Sequence, residues 1–254
     1  MIDASLKLFL DKKVDQFNDP SFIKDDPISI PHQFRYRKDI EIAGLFAALF
    51  SWGNRQTIIR KSNELMDLMD RSPFEFCIQS KKSDLKKLLA FKHRTFHATD
   101  LLYFIEFLKN HFRKSESLES AFTQWGQTTK EMLIGFHDYF FSSPDYPQRT
   151  KKHIATPARN SSCKRLNMFL RWMVRRDGRG VDFGIWENIS PAVLVCPLDL
   201  HVHRVAKKLG LLKRKQSDWK TAMELTEGLC QLDPADPVKY DFALFGLGVI
   251  DKMK

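Results

Sequence analysis

Residues 161–176 read SSCKRLNMFLRWMVRR. Placed at about 100° per residue, Leu166, Phe169, Leu170, Met173 and Val174 gather on one broad face, with Trp172 at its edge. Lys164, Arg171 and Arg175 fall on the opposite side, beside Met168. This pattern predicts a helix with a wide buried face and a narrow cationic stripe that starts at Lys164. The first turn of a helix presents free backbone N–H groups and positive dipole character, so an anion suits it and a lysine does not. The dipole, adjacent Arg165 and burial in a cleft would each favour a neutral, nucleophilic amine at Lys164. The plainer alternative is a surface lysine that solvates its charge. Arg171 and Arg175 mark the side expected to face a phosphate backbone.

Outward from this helix, every periodic segment is helical, and no alternating strand stands out. ASLKLFLDKKVDQF (4–17) is amphipathic. EIAGLFAALFSW (41–52) is apolar on nearly all sides, which predicts a buried central helix. Gly53-Asn54 breaks it before RQTIIRKSNELMDLM (55–69). Ser83, Asp100 and Ser217 are placed to cap later helices, and Asp236-Pro237 to start the last one. About ten helices are expected. The fold class is all-α, one helical unit over 1–254 with two lobes, a boundary in the Pro-rich 142–157 loop and a cleft between the lobes.

A chain of 254 residues with 43% hydrophobic content can build a sizeable core. No apolar run is long enough to span a membrane, and the N-terminus lacks the combined features of a secretory leader. A cytoplasmic, monomeric protein is expected. Cys77, Cys163, Cys196 and Cys230 lie far apart without a CxxC pair, which signals neither zinc nor an iron–sulfur cluster. The expectation is therefore no metal and no cofactor. The net charge is +10, and residues 149–180 hold ten cations against the single acid Asp177. A field of that kind suits a polyanion, most simply nucleic acid.

The second informative stretch is CPLDLHVHRVAKKLG (196–210). Asp199 stands just before the apolar set Val202, Val205, Ala206 and Leu209, in the position of an N-cap. A capping carboxylate is held rigid by backbone amides, so capping and catalysis are compatible. His201 and Arg204 share one side of this helix, within reach of a phosphate.

Lys164 opening a helix, followed by PLDLHVHRV (197–205), resembles the helix-hairpin-helix DNA glycosylase superfamily. EIAGLFAALFSWGNRQ resembles that superfamily's central helix and the polar turn over its base pocket. DFALFGLGV (241–249) looks like its closing helix. The resemblance covers residues 40–250. Within the superfamily, CKRLNMFLRWMVR is similar to the signature of an uncharacterised bacterial family. The lysine–aspartate separation of 35 residues looks more like the archaeal 8-oxoguanine DNA glycosylases. The resemblance implies a bifunctional DNA glycosylase and AP lyase of base excision repair, acting on double-stranded DNA with a damaged or abasic nucleotide. RNA stays open as a ligand, as does a non-catalytic nucleic-acid-binding module that keeps the fold.

In that reading a nucleotide is flipped into the cleft. Lys164 attacks the sugar and Asp199 stabilises the positive charge that develops. The superfamily hairpin reads Gly, hydrophobic, Gly, any residue, Lys, and its amides grip a phosphate. Here those places hold Asn160, Ser161, Ser162, Cys163 and Lys164. Asn160 suits a left-handed backbone, and Ser162 supplies a hydroxyl. Trp52, Asn54 and Gln56, in the turn after the central helix, are the base-pocket candidates by position.

Overall fold

The computed structural model describes residues 4–251 and 253. In chain order its helices are α1 (Ala4–Phe17), α2 (Arg37–Phe50), α3 (Arg55–Leu68), α4 (Pro73–Gln79), α5 (Lys82–Lys87), α6 (Ala98–Phe112), α7 (Ser120–Thr123), α8 (Thr129–Phe140), α9 (Lys164–Val174), α10 (Leu200–Lys208), α11 (Trp219–Cys230) and α12 (Tyr240–Val249). Short 3-10 turns join several of them. The class is all-α. Two strands do form, β1 (Lys92–His93) and β2 (Phe96–His97), paired antiparallel. Two residues per strand are too few to leave an alternating pattern.

The chain forms two compact units. Unit 1 comprises residues 1–24, 127–131 and 156–254, and unit 2 comprises 25–126 and 132–155. The crossing at 155/156 lies inside the Pro-rich loop, but α1 belongs with the C-terminal half of the chain. In unit 1, α12 is buried along nearly its whole length. α1 packs on it where the Phe17 ring lies over Gly246, and α10 packs on it through His201 and Val205 at Gly248. Glycine at both places removes the side chain that would hold the helices apart. In unit 2, α2 is the central helix, buried from Asp39 to Phe50. Its one fully buried acid, Glu41, is satisfied by the Ser117 hydroxyl at 2.5 Å and the Leu118 amide at 2.9 Å.

Several caps fall one or more residues from their expected places. Asp100 is the third residue of α6, where it accepts the His97 amide at 2.9 Å. Asp84, not Ser83, closes the start of α5 through the Lys81 amide at 3.0 Å. Asp218, not Ser217, caps α11. At α5 and α11 the carboxylate, the stronger acceptor, takes the place of the neighbouring serine hydroxyl. Among the described residues no helix is long and apolar enough to cross a membrane.

A Cβ on residue 246 would stand 2.2 Å from the Phe17 ring. Gly246→Ala is therefore expected to cost about 1–3 kcal/mol of stability through overpacking. Urea denaturation checks this, and adding Phe17→Leu should recover part of the loss.

Candidate functional site

Lys164 is the first residue of α9, half-buried, and the backbone before it is built as a hairpin. A 3-10 turn, Pro157–Arg159, runs into Asn160 at φ 56°, the left-handed conformation expected of an asparagine there. Cys163, immediately before Lys164, is left-handed as well, at φ 50°. The Ser161 hydroxyl accepts the Cys163 amide at 3.2 Å, and the Asn167 side-chain amide donates to the Ser162 carbonyl at 3.0 Å. The turn before α9 thus takes two left-handed residues without a glycine.

Its contacts differ from those expected. The Asn160 side chain donates to Asp218 at 3.1 Å, its carbonyl accepts the Trp219 amide at 3.1 Å, and Ser161 forms a bridge with Asp218. Burial would raise the Asp218 carboxyl, but the Thr221, Asn160 and Arg214 bonds outweigh it and bring the pKa down to about 2. A lasting negative charge therefore sits against the hairpin. The Asn160 side chain and the Ser161 backbone are thus engaged with Asp218 within the chain. Ser161 and Ser162 remain half-exposed.

Arg171 and Arg175 also need correction. They do not face outward: Arg171 is 6% and Arg175 2% exposed. Arg171 pairs with Asp182 at 3.3 Å and with Asp241. Arg175 pairs with Asp182 at 2.5 Å, Asp236 at 2.8 Å and Asp177 at 3.0 Å. The Phe242 ring lies beside both guanidinium groups, 4.3 and 5.4 Å from its centroid. Helical phase put these arginines opposite the leucines, but acids from later in the chain cover that side. The cationic segment is neutralised further by the Arg176–Glu187 and Arg179–Asp15 pairs.

Asp199 is the N-cap of α10, with Oδ1 accepting the His201 amide at 2.8 Å and the Val202 amide at 2.9 Å. Neither bond uses Oδ2. His201 and Arg204 do share a face, and Arg204 donates to His201 Nδ1 at 3.0 Å.

A residue missed by the sequence reading links these pieces. Asp241, on α12, is 5% exposed. Burial pushes its carboxyl up to about 6. Arg171 opposes that rise, Asp199 adds to it, and Lys164 opposes it. Lys164 and Asp199 thus lie within electrostatic reach of one buried carboxyl. Its signal was available in the sequence: one acid inside the otherwise apolar YDFALFGLGV.

Trp52, Asn54 and Gln56 belong to unit 2. Trp52 is half-exposed, its ring 5.0 Å from His93 and 6.1 Å from His153. Asn54 is occupied as the cap of α3, accepting the Thr57 amide at 3.1 Å, while Gln56 is exposed. Beside this turn the structure assembles cations from two separate stretches, the β1–β2 hairpin and the start of the 149–180 segment. Arg94, at the tip of the β1–β2 hairpin, donates to the Trp52 carbonyl at 3.1 Å. Arg149 donates to the Thr95 carbonyl at 3.0 Å. Partial desolvation lowers the pKa of His97 here, and Arg149, Lys92 and Lys152 lower it further.

Among the described residues, no group of three or more His, Cys, Asp or Glu side chains is arranged to hold a metal ion. Residues 26–250 match the model of a family described as "Protein of unknown function (DUF2400)", and the chain belongs to that family. No curated protein and no solved structure matches the chain.

Asp241 gives a pH test. Its folded pKa lies above that of an unfolded aspartate, so between about pH 4 and 6 the folded state binds the extra proton, and stability rises as pH falls through that window. Relative to Asp241→Asn, the wild type should gain on the order of 2–3 kcal/mol between pH 7.5 and pH 4. Paired urea titrations at the two pH values measure the difference.

Proposed function

We propose that this protein is a lysine-dependent DNA glycosylase with AP lyase activity, acting on an oxidised purine flipped out of duplex DNA. What supports the reading is the placement of Lys164 at the start of α9 and of Asp199 as the cap of α10, with both acting electrostatically on buried Asp241 of α12. A nucleophile and an anion must share one small space for this chemistry, and the two residues come from elements 35 positions apart.

In the proposed reaction the Lys164 amine attacks the sugar C1′. The bond from C1′ to the base breaks, and the base leaves with the bonding electrons and takes up a proton. The amine nitrogen gives up two protons in all, one to the departing base and one to O4′ as the C1′–O4′ bond breaks and the ring opens to a Schiff base. Elimination then removes a proton from C2′ and expels the 3′ phosphate, nicking the strand. Asp199 stabilises the positive charge at C1′, and its capping bonds to the His201 and Val202 amides keep it from turning away. Exposed cations at the β1–β2 hairpin, Lys92 and Arg94, suit the phosphate backbone.

A second reading, a nucleic-acid-binding module without catalysis, is favoured by one observation. The anionic Asp218 occupies Asn160, where the hairpin would otherwise meet a phosphate. The two readings part in a single experiment. Borohydride reduction with duplexes carrying 8-oxoguanine or an abasic site should trap a covalent adduct with wild type and none with Lys164→Ala. Asp199→Asn should slow base release on the order of 10²–10³-fold. Salt-sensitive binding without any adduct would leave the module reading. An adduct undiminished in Lys164→Ala would overturn Lys164 as the nucleophile.

A further inference from the structure

Within unit 2, α5 and the 3-10 turn after it, Leu88–Ala90, form one wall of an open groove of about 610 Å³, and α6 forms the other. Its floor is apolar: Leu85, Leu89, Leu102 and Ile105. Leu89 is 59% exposed, and Leu85 and Leu102 beside it are partly exposed, so the exposure forms a patch and not a single residue. The rim is cationic on both walls, with Lys82 and Lys86 on one side and Lys109 and Arg113 on the other; Glu106 is the one acid lining it. Among the described residues, none of these four cations is held in an ion pair, whereas adjacent Lys87 reaches Asp84 at 3.7 Å and Asp70 at 3.9 Å.

We infer that this groove receives an acidic amphipathic helix from a partner protein. The lining positions on α6 run from Leu102 to Arg113 at helical spacing, a stripe about 17 Å long, or three turns. A helix laid along such a stripe places residues at i, i+3, i+4 and i+7 on the leucine floor. Its flanking positions then meet cations on both sides, so carboxylates there complement the rim and lysines are repelled. Nucleic acid fits less well, because no aromatic side chain lines the groove to stack on a base, and a sugar–phosphate strand would leave the leucines uncovered. The inference stands apart from the glycosylase reading, since it uses none of that site's residues.

The test uses the full-length protein and a phage-displayed library of 16-residue helical peptides with randomised floor and flank positions. Enriched peptides should carry Leu or Ile at i, i+3, i+4 and i+7 with Glu or Asp beside them. Their binding, read by fluorescence anisotropy of synthesised copies, should weaken at least tenfold with the Lys86→Glu, Lys109→Glu double variant. Leu89→Asp should weaken it similarly, with circular dichroism unchanged in both variants. Peptides with lysine at the acidic positions should regain affinity for the charge-reversed variant. The proposal fails if selection does not converge on that pattern, or if converged peptides bind the variants as tightly as wild type. It also fails if a 20-nucleotide DNA strand or palmitate, rather than the peptides, is what the same substitutions release.

Discussion

Two guanidinium groups buried among four carboxylates are the constraint on which unit 1 depends. Arg171 and Arg175 on α9 hold Asp177 and Asp182 from the loop after it, Asp236 ahead of α12, and Asp241 on α12. Removing such charges from water is expensive, and only complete mutual pairing makes the arrangement tolerable. The geometry is accordingly one of shared oxygens: Arg175 binds Asp236 through Nε and Nη2, and Asp182 bridges both arginines. Burial raises Asp182, yet each neighbouring arginine favours its charged form. The cluster fixes α9 against α12 both along and around the helix axis. Lys164 starts the first helix and Asp241 lies on the second, so a purely structural network also sets the distance between a candidate nucleophile and its buried counter-charge.

Asp199 shows how the same economy works at a helix end. A loop aspartate is free to rotate, whereas a capping one is held. Two backbone amides of α10 hold Oδ1, while Oδ2 takes no part in the cap. α10 is in turn set closely against α12 at Gly248, where a Cβ would stand 3.0 Å from His201 and 3.2 Å from Val205. The chain from Gly248 to α10 to Asp199 is short and rigid.

How far the sequence could be read follows from these contacts. The Asp199 cap and the left-handed Asn160 were legible because each depends only on residues a few positions away. The first helix was legible to its ends, since Leu10, Val14 and Phe17 repeat at helical spacing on its buried face. Its assignment to the C-terminal half was not, because that rests on Phe17 meeting Gly246. The largest misreading concerned Arg171 and Arg175. Helical phase identifies which residues share a side, but not whether solvent or the carboxylates of the following loop and of α12 lie there. Asp241 escaped for the complementary reason: its neighbours Arg171, Asp199 and Lys164 are far off in sequence. The leucines of α5 and the 3-10 turn gave no sign of a groove, since their partner wall on α6 is set only by the fold.

The charge of the molecule changes meaning once the chain is folded. Residues 149–180 carry nearly the whole excess in the linear count, yet Arg171, Arg175, Arg176 and Arg179 are all paired with acids. A quieter stretch, residues 81–94, has six cations against Asp84 alone. There Lys82, Lys86, Lys92 and Arg94 all stay exposed. Long-range steering of a polyanion depends on charge that is not already compensated nearby. The surface of unit 2 around α5 and the β1–β2 hairpin is therefore the better source of an attractive field than the segment that first suggested one. The charge that holds α9 against α12 and the exposed charge near α5 are distinct in the fold, though the linear count merges them.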